Sequence, residues 1–289
     1  MNTLIDSIKN LSTPLKPVPT GATLKLNPLD GIETVLFDIY GTLLISGSGD
    51  IGTAATVDSA EALTQSLIVS GYEGDPERAG ELSSELLHTE IEHWHETARE
   101  SGTEFPEVEV SRVWKKVIER FQALEILKPD DDPQRIERLA VEYECRVNPV
   151  WPMPDARRTL DNLRARGFRL GIVSNAQFYT PLTIEALFGT PLEALGFEKD
   201  LCVFSYKQLK AKPSVELFQT LETQIDLSKT LYVGNDMLND IWTASQVGCK
   251  TALFVGDWRS LRERKEDKRC KKLAPDAIVD HLHQITEII

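Results

Sequence analysis

The sequence has little that would tie it to a membrane, an oxidising compartment or a polyanion. No stretch approaches the roughly 18 consecutive apolar residues that a membrane span needs. The opening MNTLIDSIKN lacks the basic-then-apolar layout of a secretory signal. Four cysteines in 289 residues, Cys145, Cys202, Cys249 and Cys270, are widely scattered with no CxxC pair. That spacing argues against a disulfide framework or a zinc site and fits reduced thiols, so a cytoplasmic location is expected. Positive charge is also in deficit: 32 Lys and Arg face 45 Asp and Glu, for a net charge of −13. The deficit lies in the middle, where residues 51–150 hold 22 acids and 10 bases, leaving 23 and 22 elsewhere. Such a surface would repel a phosphodiester backbone, so the expected partner is a small molecule and not a nucleic acid. None of these features bears on oligomeric state.

Against this background one stretch stands out, VLFDIYGTLL at residues 35–44. Val35, Leu36 and Phe37 suit a fully buried strand, and the run stops at Asp38 before Tyr40-Gly41-Thr42 breaks the pattern. Open α/β sheets place their chemistry at the C-terminal lip of such strands. The plainer reading is a carboxylate that only hydrogen-bonds its turn.

The flanking chain organises itself around this strand. Residues 1–30 read as a short helix and an extended arm interrupted by Pro14, Pro17, Pro19 and Gly21, either tethered to the core or partly disordered. ISGSGDIG at 45–52 reads as a flexible hinge. Residues 53–147 carry only helical periodicity, over 56–70, 76–101, 109–124 and 133–146, which predicts an inserted four-helix bundle. In it, His93 and His95 point to different helix faces and make a poor metal pair, so surface or packing roles are expected for them and for His88. Trp94 and Trp114 are expected in the bundle core, with one of them able to line a cleft.

Beyond residue 150 helices and strands alternate. Strands are expected at 169–174, 201–204, 230–233, 250–255 and 277–279, and helices over 154–167, up to 188, 215–223 and 238–246. The mixed-charge run 259–273 reads as a solvated helix or loop. The predicted fold is therefore α/β: a doubly wound, Rossmann-like parallel sheet from 31–50 and 150–289, with a helical insert at 51–149 and the arm at 1–30.

Three later stretches add chemistry to Asp38. They are GIVSNAQ (171–177), KAKPSVELF (210–218) and LYVGNDMLNDI (231–241), each at or beside the end of an apolar run. In this order the four motifs resemble the haloacid dehalogenase superfamily of phosphatases and dehalogenases, with the insert matching that family's mobile helical cap. The resemblance implies Asp38 as a nucleophile forming an aspartyl-phosphate. It implies Thr42, Ser174 and Asn175 at the phosphoryl group, Ser174 or Asn175 being the donor beside a helix N-terminus. Lys212 would supply the balancing charge, with Lys207 and Lys210 as fallbacks. It further implies Mg²⁺ held by Asp38, the Tyr40 carbonyl, Asp236 and Asp240. A second register puts Asn235 in place of Asp236, and the lesser alternative is that Asn and Asp here form a helix N-cap network.

The sequence departs from the family at Tyr40. Phosphatases of the superfamily usually carry there a second aspartate that protonates the leaving group, and a phenol with a pKa near 10 is a poor substitute. Tyrosine at this position resembles the 2-haloacid dehalogenase branch. That branch carries a cap-entry arginine, however, and no Lys or Arg occurs from Ile39 to Glu77. Its fourth motif also lacks an acidic pair. Three expectations follow: a Mg²⁺-dependent phosphohydrolase favouring good leaving groups or drawing its proton from water, a metal-independent dehalogenase, and a binding protein on a retired catalytic fold.

Overall fold

The structure is a computed structural model that describes residues 3–47, 59–130 and 132–289. Its first helix, α1 (Thr3–Leu11), buries Ile8 in a small cluster that also holds Val141 and Tyr179. The arm that follows is tethered. Thr20 Oγ1 donates to the Val255 carbonyl at 2.7 Å, and Lys25 forms an antiparallel bridge with Ile278.

Strand β1 (Thr34–Phe37) is buried at every residue, as its apolar run requires. The chain turns through 38–43 into β2 (Leu44–Ser46) and returns from the helical insert through β3 (Val150–Pro152), which pairs antiparallel with β2. Both ends of the insert are therefore fastened side by side. The expected hinge at 45–52 is corrected here: residues 45–46 belong to β2, Gly47 follows it, and 48–52 lie outside the described residues.

The insert comprises α2 (Ser59–Ser70), α3 (Pro76–Glu100), α4 (Val110–Ala123) and α5 (Pro133–Val147). The predicted start of α2 at 56–58 also lies outside the described residues. Helices α3 and α5 each begin with an aspartate followed by proline. Asp75 accepts from Arg78 N and Asp132 from Gln134 N, while the proline occupies a position whose N–H would have no helical partner. Val113, Trp114, Val117, Ile118 and Phe121 put the apolar face of α4 into a core shared with Leu63, Leu67, Leu139 and Ala140.

After β3 come α6 (Ala156–Ala165), β4 (Arg169–Ser174), α7 (Thr180–Phe188), β5 (Phe197–Phe204), β6 (Thr230–Gly234), β7 (Lys250–Phe254) and β8 (Ala277–Val279). The sheet order is β5-β4-β1-β6-β7-β8, with every pairing parallel. Successive strands run one way from β1 to β5 and the other way from β6 to β8. The switch falls between β1 and β6, where a doubly wound sheet opens a crevice at its C-terminal edge.

Two of the expected helices change. Residues 215–223 hold only one α-helical turn, Glu216–Gln219, although Leu217, Phe218 and Leu221 are buried. β-branched Thr220 and Thr223 weaken its extension. The helix expected from Leu238 opens as a π-turn at Met237–Trp242. Of the helix or loop expected at residues 259–273 the loop is found: they form turns, and the ion pairs Asp257–Arg259 and Asp267–Arg269 span two residues, a spacing that does not meet on a helix.

Candidate active site

Asp38 leaves β1 in register with its neighbours, its N–H donating to the Val233 carbonyl at 2.9 Å. This puts its carboxylate at the sheet rim beside the switch point. Gly41 makes the turn possible in two ways. Its φ is +84°, and a Cβ there would lie 2.6 Å from both Asn235 Nδ2 and Ser260 Cβ. Gly234, ending β6, leaves room for Asp240 to fold back, since a Cβ would sit 2.4 Å from Asp240 Cγ.

Lys212 joins these elements. Its Nζ donates to Asp38 Oδ1 at 2.8 Å, Asp240 Oδ1 at 2.5 Å and Tyr232 Oη at 2.9 Å. Tyr232 donates its own proton to the Val173 carbonyl at 2.7 Å. Lys212 is 5% exposed, Asp38 7% and Asp240 1%. Burial by itself would push the Lys212 ammonium down, but Asp240 and Asp38 more than reverse this and hold it above the ordinary lysine range. Burial raises the Asp240 carboxyl, against the pull of Lys212. The backbone of Lys212 is bracketed by one side chain: Lys212 N donates to Asn175 Oδ1 at 2.8 Å, and Asn175 Nδ2 to the Lys212 carbonyl at 3.3 Å. The fallback lysines stand elsewhere. Lys207 lies over the Phe204 and Tyr206 rings, and Lys210 pairs with Glu216.

The remaining candidates divide. Asp38, Tyr40, Asn175, Lys212, Asn235, Asp236 and Asp240 line one cavity of about 270 Å³. Thr42 and Ser174 do not. The Thr42 hydroxyl donates to Asn235 Oδ1 at 3.1 Å, and Ser174 is wholly buried with its hydroxyl directed at the Asn175 carbonyl. Both hydroxyls are thus engaged within the protein, and neither residue faces the cavity. Tyr40 touches the cavity, yet its hydroxyl is 2.9 Å from Thr180 Oγ1 and burial raises its pKa further. Neither tryptophan of the insert lines this cavity, whereas His95 does.

The acids expected to hold Mg²⁺ are engaged. Among the described residues no three His, Cys, Asp or Glu side chains converge as a metal cluster. Asp236 caps the π-turn, accepting from Leu238 N at 2.8 Å and Asn239 N at 3.1 Å, and the Arg264 guanidinium grips both of its oxygens. Asp240 Oδ2 accepts from Asp236 N at 2.9 Å. Among the described residues, neither Asp38 Oδ2 nor the Tyr40 carbonyl has a hydrogen-bond partner. These are hard oxygen donors at a cavity wall, which fits Mg²⁺ in the manner of sites that use one carboxylate and leave the other positions to water and substrate oxygens.

Several lining residues carried no signal in the sequence. Glu107, on the loop between α3 and α4, faces the same cavity, as do Gln177 and Arg262. Gln177 fastens that loop to the core: its Oε1 accepts from Val110 N at 3.0 Å and its Nε2 donates to the Val108 carbonyl at 2.8 Å. Glu107 N donates to the Leu209 carbonyl at 3.1 Å and Ala211 N to that of Phe105 at 2.9 Å.

A doubly wound, Rossmann-like parallel sheet thus carries a lysine-bridged pair of aspartates at its switch point. The chain matches the haloacid dehalogenase-like hydrolase family over residues 32–248 and belongs to that family. It is 25% identical over 263 residues to a ribulose-1,5-bisphosphate 5-phosphatase of Halopiger xanaduensis, covering 88% of this chain and 98% of the relative. A glyceraldehyde 3-phosphate phosphatase of Methanopyrus kandleri is 24% identical over 271 residues, covering 89% and 97%. Among solved structures, a 2-haloacid dehalogenase from Pseudomonas syringae pv. Tomato shares the fold with a TM-score of 0.53 and 22% identity, over 89% of this chain and 97% of the other. No helix among the described residues is long and apolar enough to cross a membrane.

Proposed function

We propose that the protein is a phosphohydrolase of small phosphorylated metabolites that works through an aspartyl-phosphate on Asp38. The observation that carries this reading is the division of labour at Asp38, which lines the cavity: Oδ1 is fixed by Lys212, and Oδ2 has no hydrogen-bond partner among the described residues. Oδ2 attacks phosphorus in line while the bond to the leaving oxygen breaks, and water later cleaves the acyl phosphate. Lys212 holds the nucleophile's orientation and offsets the negative charge that gathers as the phosphoryl group approaches. Asn175 acts through Lys212 by fixing its backbone. Residues 51–149 serve as a cap over the core formed by 31–50 and 150–289, excluding water from the cavity. Asp38 Oδ2 and the Tyr40 carbonyl would hold Mg²⁺, with Asn235 beside them and Asp236 available only by exchanging Arg264. When bound, the ion supplies charge neutralisation at the phosphoryl oxygens.

The names of the two curated relatives support phosphoryl over halide chemistry. Tyr40 and Asn235 favour the dehalogenase alternative. A panel of phosphate monoesters, acyl phosphates and short 2-haloacids, with and without Mg²⁺, separates the two. The expected result is phosphate release, acid-stable phosphate on the quenched wild-type protein, and loss of both in Asp38→Asn. Halide release from haloacids, or phosphate release that survives Asp38→Asn, overturns the reading.

A further inference from the structure

The cavity has four carboxylates, and three are tied to a cation. Asp38 and Asp240 share Lys212, and Asp236 is gripped by Arg264. Glu107 is the exception: among the described residues it has no ion-pair partner, only neutral donors. Ser205 Oγ donates to its Oε2 at 2.7 Å, and Val108 N to its Oε1 at 2.8 Å, with Gln177 Nε2 at 3.4 Å. Burial raises its carboxyl above the ordinary range, and these hydrogen bonds pull it back only in part.

The network around Glu107 accommodates a proton in either place. Ser205 is fully buried and accepts from Ala176 N at 2.9 Å, and its single hydroxyl proton has a second acceptor, the Ala176 carbonyl, at 3.2 Å. With Glu107 ionised, Ser205 donates to it. With Glu107 protonated, the serine proton can turn to the Ala176 carbonyl, and the carboxyl O–H can donate either to Ser205 or to an oxygen in the cavity that Glu107 lines. Neither state strands a buried polar group.

Placement supports the same use. Asp38 follows β1 of the core, whereas Glu107 is carried by the loop between α3 and α4 of the helical insert, and both line the one cavity. An in-line displacement leaves the departing oxygen on the side of phosphorus away from the nucleophile. The loop bearing Glu107 is pinned to the core by the Leu209 and Phe105 backbone bonds and by the Gln177 amide, so the carboxyl is held in place before substrate arrives. The Tyr40 hydroxyl, at the position where the family's acid is expected, is instead committed to Thr180.

We propose that Glu107 is the general acid that protonates the leaving-group oxygen, which makes alkyl phosphate monoesters a substrate class of this site. The inference rests on the aspartyl-phosphate reading above. In the first step the bond from Asp38 Oδ2 to phosphorus forms, the ester P–O bond breaks, and the alkoxide oxygen takes the Glu107 proton to leave as an alcohol. In the second step Glu107 takes a proton from water as its oxygen attacks phosphorus. The acyl-phosphate P–O bond breaks, releasing hydrogen phosphate, free Asp38 and protonated Glu107.

The test compares wild type, Glu107→Gln, Glu107→Asp and Asp38→Asn on glycerol phosphate, glyceraldehyde 3-phosphate and acetyl phosphate, by steady-state release and acid-quenched phosphoenzyme. Glu107→Gln is expected to lose about 10²–10⁴-fold in turnover of the alkyl esters. With acetyl phosphate, whose leaving group needs no proton, the same variant is expected to accumulate phosphoenzyme, because formation proceeds and hydrolysis lacks its base. Glu107→Asp restores part of the loss. Turnover equal to wild type on every substrate, or a loss with no phosphoenzyme from acetyl phosphate in a variant of unchanged melting temperature, overturns this inference alone. Absence of any phosphoenzyme or phosphate release in wild type overturns the Asp38 reading and this one with it.

Discussion

The Lys212 ammonium lies 2.8 Å from Oδ1 of Asp38, a residue 174 positions earlier in the chain, and 2.5 Å from Oδ1 of Asp240. One buried cation thus serves two buried carboxylates, and the arrangement ties β1, β6 and the segment after β5 together. Removing the cation leaves both acids unpaired in a poorly solvated site. Lys212→Met should lower unfolding free energy by about 3–5 kcal/mol and turnover by at least about 10²-fold. Adding Asp240→Asn should recover part of the stability and none of the activity. Urea unfolding of the single and double variants measures the first, phosphate release the second.

The Tyr40 hydroxyl bonds Thr180 and stays protonated at any working pH, because burial raises its pKa beyond that of a free phenol. Burial thus makes it a weaker acid than a free phenol. Tyr40→Phe should therefore leave turnover and its pH profile close to wild type and cost about 1 kcal/mol of stability from the lost hydrogen bond. A shift of the basic limb of the profile would assign the phenol a role in proton transfer.

Arg264 competes with any cation for Asp236. Arg264→Ala removes the competitor, so Mg²⁺ should bind more tightly, read by calorimetry or as a larger rise in melting temperature on adding the ion. The stability cost should stay under about 1 kcal/mol, since this ion pair is partly exposed. Equal Mg²⁺ affinity in variant and wild type would mean that Asp236 serves only as the cap of the π-turn.

Glu144 lies behind Tyr40 at the wall of a small second cavity, accepting from Asn148 Nδ2 at 2.9 Å and from the Tyr179 hydroxyl. Burial raises its pKa. A carboxyl raised on folding contributes stability in full below its unfolded pKa, about 4.3, and loses it as pH rises through the folded value. The neutral amide in Glu144→Gln carries no such titration. Relative to wild type, the variant should therefore gain stability as pH rises above about 4.3, until the folded-state carboxyl is fully ionised. Denaturant unfolding across the acidic to neutral range gives the difference curve, and a flat curve refutes the assignment.

Much of this protein is legible in local sequence patterns. The buried run ahead of Asp38, the alternation after residue 150 and the four helical periods before it each became the expected kind of element. Two aspartate–proline pairs marked helix starts by local capping chemistry. The boundaries that moved were those where local signals conflicted. Leu217, Phe218 and Leu221 had helical spacing, but the threonines among and after them did not favour a longer helix. The run 259–273 looked uniformly solvated, yet it sends Arg264 to Asp236 and Arg262 to the cavity.

What the sequence determined by itself was the sheet, its central strand and the place where a nucleophile could stand, because burial and backbone pairing follow periodicities of a few residues. Which lysine meets Asp38, which acid is left without a cation and which hydroxyls are already spent were decided only by the tertiary structure. Lys207, Lys210 and Lys212 are equivalent in composition, and Glu107 is one acid among many in an acidic segment. Their differences arise where distant segments cross at the sheet rim, where a few ångströms separate a paired charge from a lone one and burial makes that difference count.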